Sequence, residues 1–222
     1  MSDNQRVINN TVSAKNQVDE NVFYLGNCGL HVMILGNSIT LHNPKADIGW
    51  YGKWGMAASS ADKDYVHQLY YTVTEHFGDT QFCIVQASDW ELNFNDDVLS
   101  EKFSKAKSFA PDVLVFRLGE NIHPDKCSVE GLYEAIGRLL SYFCTSQTKI
   151  VFTTRFMPDE KVDDIIRRFA KEHKCPLAEL GDMGHDFSML AFDKFEHGGV
   201  ASHPGDKGMR QIADRIWQVF PR

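Results

Sequence analysis

Apolar residues fall into short runs separated by stretches with helical spacing. The run His31–Leu35 (HVMIL) ends at Gly36 and predicts a buried strand. Asp64–Phe77 sets Val66, Leu69, Tyr70, Val73 and Phe77 three or four residues apart, which predicts a helix, with capping-type serines at Ser59 and Ser60 before it. Phe82–Val85 reads as a second strand, Leu99–Phe109 as a short helix closed by Pro111, and Asp112–Leu118 as a third strand. Val129–Phe143 carries Leu132, Ile136, Leu139, Leu140 and Phe143 on one side and predicts a helix. Lys149–Thr154 predicts a fourth strand, Asp159–His173 a helix, and Pro176–Leu180 a fifth strand. A loop-rich stretch, Asp182–His203, leads to a last helix over Asp206–Phe220, with Asp206 as its N-cap.

Strands alternating with helices at this spacing predict an α/β fold: a parallel five-stranded sheet covered on both faces, a three-layer α/β/α sandwich. Residues 1–22 read as a polar N-terminal arm whose far end (VFYLG) can pack or pair, and 23–222 as a single domain without internal repeats. In such sheets ligands sit beyond the carboxyl ends of the strands. That nominates the loops after Leu35, Val85, Leu118, Thr154 and Leu180.

Composition narrows the classes. Of 222 residues, 43% are hydrophobic and 24% charged, which excludes disorder for most of the chain. A net charge of −7 gives no footprint for a polyphosphate and argues against a nucleic-acid partner. No apolar run is long enough for a membrane span, and the polar residues 1–20 contain no signal peptide. Five cysteines, an odd number with no C-x-x-C pair, argue against a disulfide framework or zinc site and for a reducing, cytoplasmic setting. His42, His123, His185 and His197 lie in loops without metal-ligand spacing, so no metal is expected.

Three strand-end blocks carry chemistry. Ser38, in Gly36-Asn37-Ser38 after the first strand, is placed to present a hydroxyl beside backbone N–H groups, as an acyl-transfer nucleophile requires; it could equally be a turn serine. Asn121, in Gly119-Glu120-Asn121 after the third strand, can donate to an oxyanion or close a turn. His203, in His203-Pro204 before the last helix, can take a proton near neutral pH. There is no G-x-S-x-G elbow, Walker loop or G-x-G-x-x-G.

Together the three blocks resemble the SGNH subgroup of the GDSL hydrolases, over about residues 30–220, and the segments Ile48–Val66 and Gly199–Met209 look like those of bacterial carbohydrate-esterase-like members. The resemblance implies a flavodoxin-like sheet and ester hydrolysis through an acyl-serine, without a cofactor. It implies Ser38 as nucleophile, His203 as base, and Asn121 with the Ser38 N–H as oxyanion donors.

Two positions depart from the pattern. The family's acid precedes the histidine by three residues, where this chain has Val200. Glu196, or a backbone carbonyl near Val200, is left to orient the imidazole, with Asp193 and Asp206 also nearby in sequence. The family's oxyanion glycine follows the second strand, where this chain reads Gln86-Ala87-Ser88-Asp89-Trp90-Glu91. The Ser88 N–H is expected in its place, with Trp54–Ser59 as the rival segment. Trp50, Trp54 and Trp90 fall in loops at this end, where their rings could stack on a sugar or pack as lids. Arg155 could bind an anionic substrate group or pair with Glu120 or Glu91.

The expected function is a serine esterase removing a small acyl group, acetyl above all, from a carbohydrate or similar small-molecule or glycan ester. The alternatives are a thioesterase or lysophospholipase on the same scaffold, or a non-catalytic glycan-binding relative.

Overall fold

The computed structural model describes residues 21–94, 96–126 and 128–222. Six strands form one sheet: β1 (Val22–Leu25), β2 (Leu30–Gly36), β3 (Thr80–Gln86), β4 (Val113–Arg117), β5 (Lys149–Thr153) and β6 (Leu177–Ala178), in the order β1-β3-β2-β4-β5-β6. The five strands expected from the sequence run parallel. The correction is β1, which pairs antiparallel with β3 in the register Val22↔Val85 to Leu25↔Phe82. Four residues next to a polar stretch carry too little pattern to predict an edge strand. Val22 therefore belongs to the sheet, and the rest of the expected arm, apart from Asn21, lies outside the described residues.

The middle stretches of the central strands, Val32–Leu35, Phe82–Val85 and Val113–Phe116, are apolar at every position because both faces are covered. Val32 and Ile34 of β2 point into a cluster with α1 (Tyr65–Phe77) and the last helix, Asp206–Val219. Met33 and Leu35 point the other way, onto a cluster that includes five helices: α2 (Ser88–Asn93), α3 (Asp96–Lys102), α4 (Ser104–Lys107), α5 (Val129–Phe143) and α6 (Glu160–Glu172). All four side chains are fully buried, each contributing about 1.5–3 kcal/mol. Helix–sheet–helix layering follows directly from this alternation. A four-residue helix, α7 (Gly198–Ala201), precedes the last helix, which is α8.

Local chemistry sets the helix starts. Asp64 caps α1 by accepting from His67 N, Ser128 caps α5 through Gly131 N, and Asp159 caps α6 through Val162 N. The expected cap of the last helix is corrected. Asp206 is its first residue, and its carboxylate instead accepts from Ser59 N at 2.8 Å and Ser59 Oγ at 2.7 Å. The expected helix over Leu99–Phe109 is broken into α3 and α4. No helix among the described residues is long and apolar enough to cross a membrane.

Candidate active site

The sheet order puts β3, β2 and β4 side by side, so the turns after these three strands meet at one end. The turn after β2 carries Ser38. Gly36 allows it: a Cβ there would stand 1.8 Å from Thr40 Oγ1. Asn37 is fully buried, and its Oδ1 accepts from Ile39 N at 3.2 Å. Asn37 O accepts from Thr40 N and Leu41 N, closing the turn. Met56 N donates to Ser38 O at 2.8 Å and joins the 54–59 segment to the turn. Among the described residues the Ser38 N–H meets no acceptor.

His203 comes back from the far end of the chain. Its Nε2 stands 2.8 Å from Ser38 Oγ, and its Nδ1 is 2.7 Å from Gly199 O. A carbonyl only accepts, so Nδ1 carries the proton and Nε2 presents its lone pair to the serine hydroxyl. The carbonyl is available because α7 ends at Ala201. Its last carbonyls have no helical amide to accept from. The residue four ahead, His203, gives its backbone N–H to Val200 O and its ring to Gly199 O.

Burial pushes the imidazole down to about 4, with His42 and Arg117 adding to the effect and the Gly199 carbonyl and Glu120 opposing it. The ring is therefore neutral at and well below neutral pH, the form that accepts a proton.

Glu196 is exposed, and the position expected of an orienting acid is taken by the Gly199 carbonyl. The two alternatives left by the sequence are thus separated in favour of the backbone.

Asn121, in the turn after β4, donates from Nδ2 to Glu91 Oε2 at 2.5 Å. Glu91 lies in α2 and is 1% exposed. Its Oε1 accepts from Gly119 N at 2.5 Å and Asn37 Nδ2 at 3.0 Å. Asn37 Nδ2 also donates to Glu120 Oε2 at 2.6 Å, and Arg117 Nη1 reaches the same oxygen at 2.6 Å. Phe156 N donates to Glu120 Oε1 at 2.9 Å. Burial would raise Glu120, but the Arg117 guanidinium overrides it and holds the carboxyl below its ordinary range. Burial, and then the Glu120 charge, push Glu91 up to about 7, against the pull of its three donors. The sequence offers Glu91 only as a pairing acid for Arg155, and nothing in Asp89-Trp90-Glu91-Leu92-Asn93 announces three donors around it.

Ser88 opens α2, and its N–H donates to Gln86 Oε1 at 3.3 Å, so that donor is already engaged. In the rival segment Ala57 is buried with φ 74°, in the left-handed region.

Two substrate-contact expectations are corrected. Trp90 is fully buried, edge-on to Phe94 and Phe116 at centroid distances of 5.4 and 6.3 Å, and belongs to the core. It sits on the inward face of a short helix that the sequence presents as loop. Arg155 is 9% exposed; its Nη2 donates to Glu120 O at 3.3 Å and its Nη1 lies 3.8 Å from Asp159. The carboxylate it reaches is that of Asp159, not Glu120 or Glu91, and Glu120 meets it only through a backbone carbonyl. Trp54 stays half-buried, with its indole N–H on Ala58 O at 2.9 Å and its ring edge-on to buried Trp50.

A groove of about 630 Å³, lined by neither Ser38 nor His203, has Ala57, Phe187, Leu190, Phe192 and Gly205 in its walls. Gly205 follows His203 by two residues, and Ala57 follows Met56, whose N–H holds the Ser38 carbonyl. Phe187 is 77% exposed and Phe192 49%, their rings 5.7 Å apart.

No family model matches the chain, and no curated protein matches its sequence. Solved structures do. A lipase/acylhydrolase from Enterococcus faecalis matches with a TM-score of 0.56 at 14% identity, over 86% of this chain and 94% of that one. A GDSL-like lipase from Bacteroides uniformis matches with a TM-score of 0.53 at 15% identity, over 86% and 95%. A two-domain esterase active on acetylated mannans matches with a TM-score of 0.54 at 15% identity, over 86% and 48%. The chain thus spans about half the length of that two-domain protein. The fold is that of the GDSL-type lipases and esterases.

Proposed function

We propose that this chain is a serine esterase that removes a small acyl group, acetyl above all, from a carbohydrate or similar substrate. The observation that carries the proposal is the relay Ser38 Oγ to His203 Nε2 at 2.8 Å and His203 Nδ1 to Gly199 O at 2.7 Å, at the carboxyl end of the sheet. The likeness in fold to ester hydrolases supports it, and one of those proteins is described as active on acetylated mannans.

Ser38 Oγ attacks the ester carbonyl as His203 Nε2 takes its proton. The Ser38 N–H and the Asn121 amide donate to the oxyanion that forms. His203 then returns the proton to the leaving alcohol, and the acyl group stays on Ser38. Water, deprotonated by His203, attacks the acyl-serine; His203 then gives that proton to Ser38 Oγ as the carboxylic acid leaves, which restores the free serine and the neutral imidazole. The Gly199 carbonyl holds the imidazole tautomer in every step, the task an acid performs in a triad.

Replacing Ser38 by Ala is expected to abolish hydrolysis of a small aryl acetate and labelling by a fluorophosphonate, with an unchanged circular dichroism spectrum. Hydrolysis at the original rate in that variant would overturn the assignment.

The groove favours a second reading, a longer acyl chain as in a thioesterase or lysophospholipase. Its volume exceeds what an acetyl group needs, and its exposed phenylalanine faces are apolar. A chain-length series of aryl esters separates the two.

A further inference from the structure

The buried carboxylate of Glu91 has no part in the proton relay, yet it joins both sides of the site. One of its oxygens accepts from Asn37 Nδ2 and Gly119 N, the other from Asn121 Nδ2. Asn37 precedes the nucleophile directly. Asn121 lies in the turn after the neighbouring strand. From the geometry we infer that Glu91 is a positioning residue for the oxyanion hole: its carboxylate dictates which end of the Asn121 amide faces outward and fixes that amide relative to the Ser38 turn. The inference rests on the esterase reading above and adds to it a residue that does not touch substrate.

An asparagine amide can sit either way round, and only its partners decide. An ionised carboxylate has no hydrogen to give, so it accepts only the NH₂ end. One N–H of Asn121 then goes to Glu91 Oε2 at 2.5 Å, and the second is left for a substrate oxygen. Asn37 shows the same logic, with Nδ2 shared between Glu91 and Glu120 and Oδ1 taken by Ile39 N. Both amides are therefore locked before substrate arrives. Preorganised donors stabilise an oxyanion because no reorganisation is needed during the reaction.

Glu91→Gln keeps the volume but offers only one accepting oxygen. With that oxygen on Asn37 and Gly119, the new NH₂ meets the NH₂ of Asn121. The Asn121 amide must turn over, bringing a carbonyl oxygen where a donor stood.

The test compares Glu91→Gln, Asn121→Ala and the double variant on an aryl acetate, with fluorophosphonate labelling run in parallel. We expect kcat to fall about 10²-fold in each single variant, with KM changed less than about twofold, because the lost interaction exists only in the transition state. The double variant should be no more than about threefold worse than Asn121→Ala, since Glu91 acts through Asn121. Effects that multiply, or a change confined to KM, would overturn the inference. If Glu91→Gln fails to fold, the wild-type chain still answers by NMR. The Asn121 amide, assigned by its loss in Asn121→Ala, should show one proton protected from solvent exchange. Exchange as fast as at surface asparagines would overturn the clamp. A wild-type chain that neither labels nor hydrolyses overturns the esterase reading and the clamp with it; one that labels while the single variants stay fully active overturns the clamp alone.

Discussion

The carbonyl oxygen of Gly199 lies 2.7 Å from Nδ1 of His203 and fills the position where a serine hydrolase triad has its acid. A neutral acceptor sets the tautomer as a carboxylate would, but adds no negative charge to stabilise an imidazolium. Glu196, exposed and outside this contact, should be dispensable. Glu196→Gln is expected to leave kcat/KM on an aryl acetate within about twofold of the original, as surface substitutions usually do. His203→Ala should cost at least about 10³-fold in the same assay.

The pH profile should separate two groups. In the proposed mechanism the base is neutral His203, held down to about 4 by burial, with Glu120 and the Gly199 carbonyl pulling up and His42 and Arg117 pushing down. Its proton therefore inhibits only near pH 4. Glu91 is pushed up to about 7 by burial and the Glu120 charge, while Arg117 also acts on it electrostatically. The clamp works with the ionised carboxylate, so kcat/KM should rise through about pH 7 and collapse again below about pH 4. In Glu91→Gln the upper rise should vanish and the lower one remain. A single rise at an ordinary histidine value in both proteins would contradict this assignment.

Trp90 tests core against contact. Trp90→Ala removes a fully buried indole packed on Phe94 and Phe116. A cost of roughly 3–5 kcal/mol is expected, lowering Tm by roughly 6–20 °C. Thermal unfolding followed by circular dichroism measures it. An unchanged Tm with a raised KM would restore the substrate-contact view.

The groove yields its own prediction. Phe187→Ala and Phe192→Ala should each reduce kcat/KM for an aryl octanoate several-fold and leave the acetate nearly unchanged, if acyl chains lie on the two rings. Equal losses on both esters would place the rings on the alcohol side.

Much of this architecture is written in local pattern. β4 and α5 are legible because Val113–Phe116 is apolar throughout and Val129–Phe143 repeats at helical spacing. Ser38, Asn121 and His203 stand out because each block falls at an expected strand or helix end. The rest lies in tertiary context. β1 becomes a strand only by pairing with β3. Gly199 contributes a backbone atom, which no side-chain letter announces. Glu91 reads in the sequence as a pairing acid for Arg155, and only the turn of α2 brings it under the three donors it has instead.

The alignment of β3, β2 and β4 has a consequence for folding fidelity. A slip of two residues between neighbouring strands, about 6.6 Å, keeps each side chain on its own face of the sheet. Hydrophobic burial therefore discriminates poorly between the native pairing and its nearest wrong one. The polar links do discriminate. Asn37 follows β2, Glu91 follows β3 and Glu120 follows β4, and a slip would part buried Glu91 from its donors on the neighbouring strand ends and Glu120 from Asn37. Breaking such a buried arrangement costs about 3–5 kcal/mol. The charges beneath the serine thus act as a register lock, checked once by every chain as its sheet assembles.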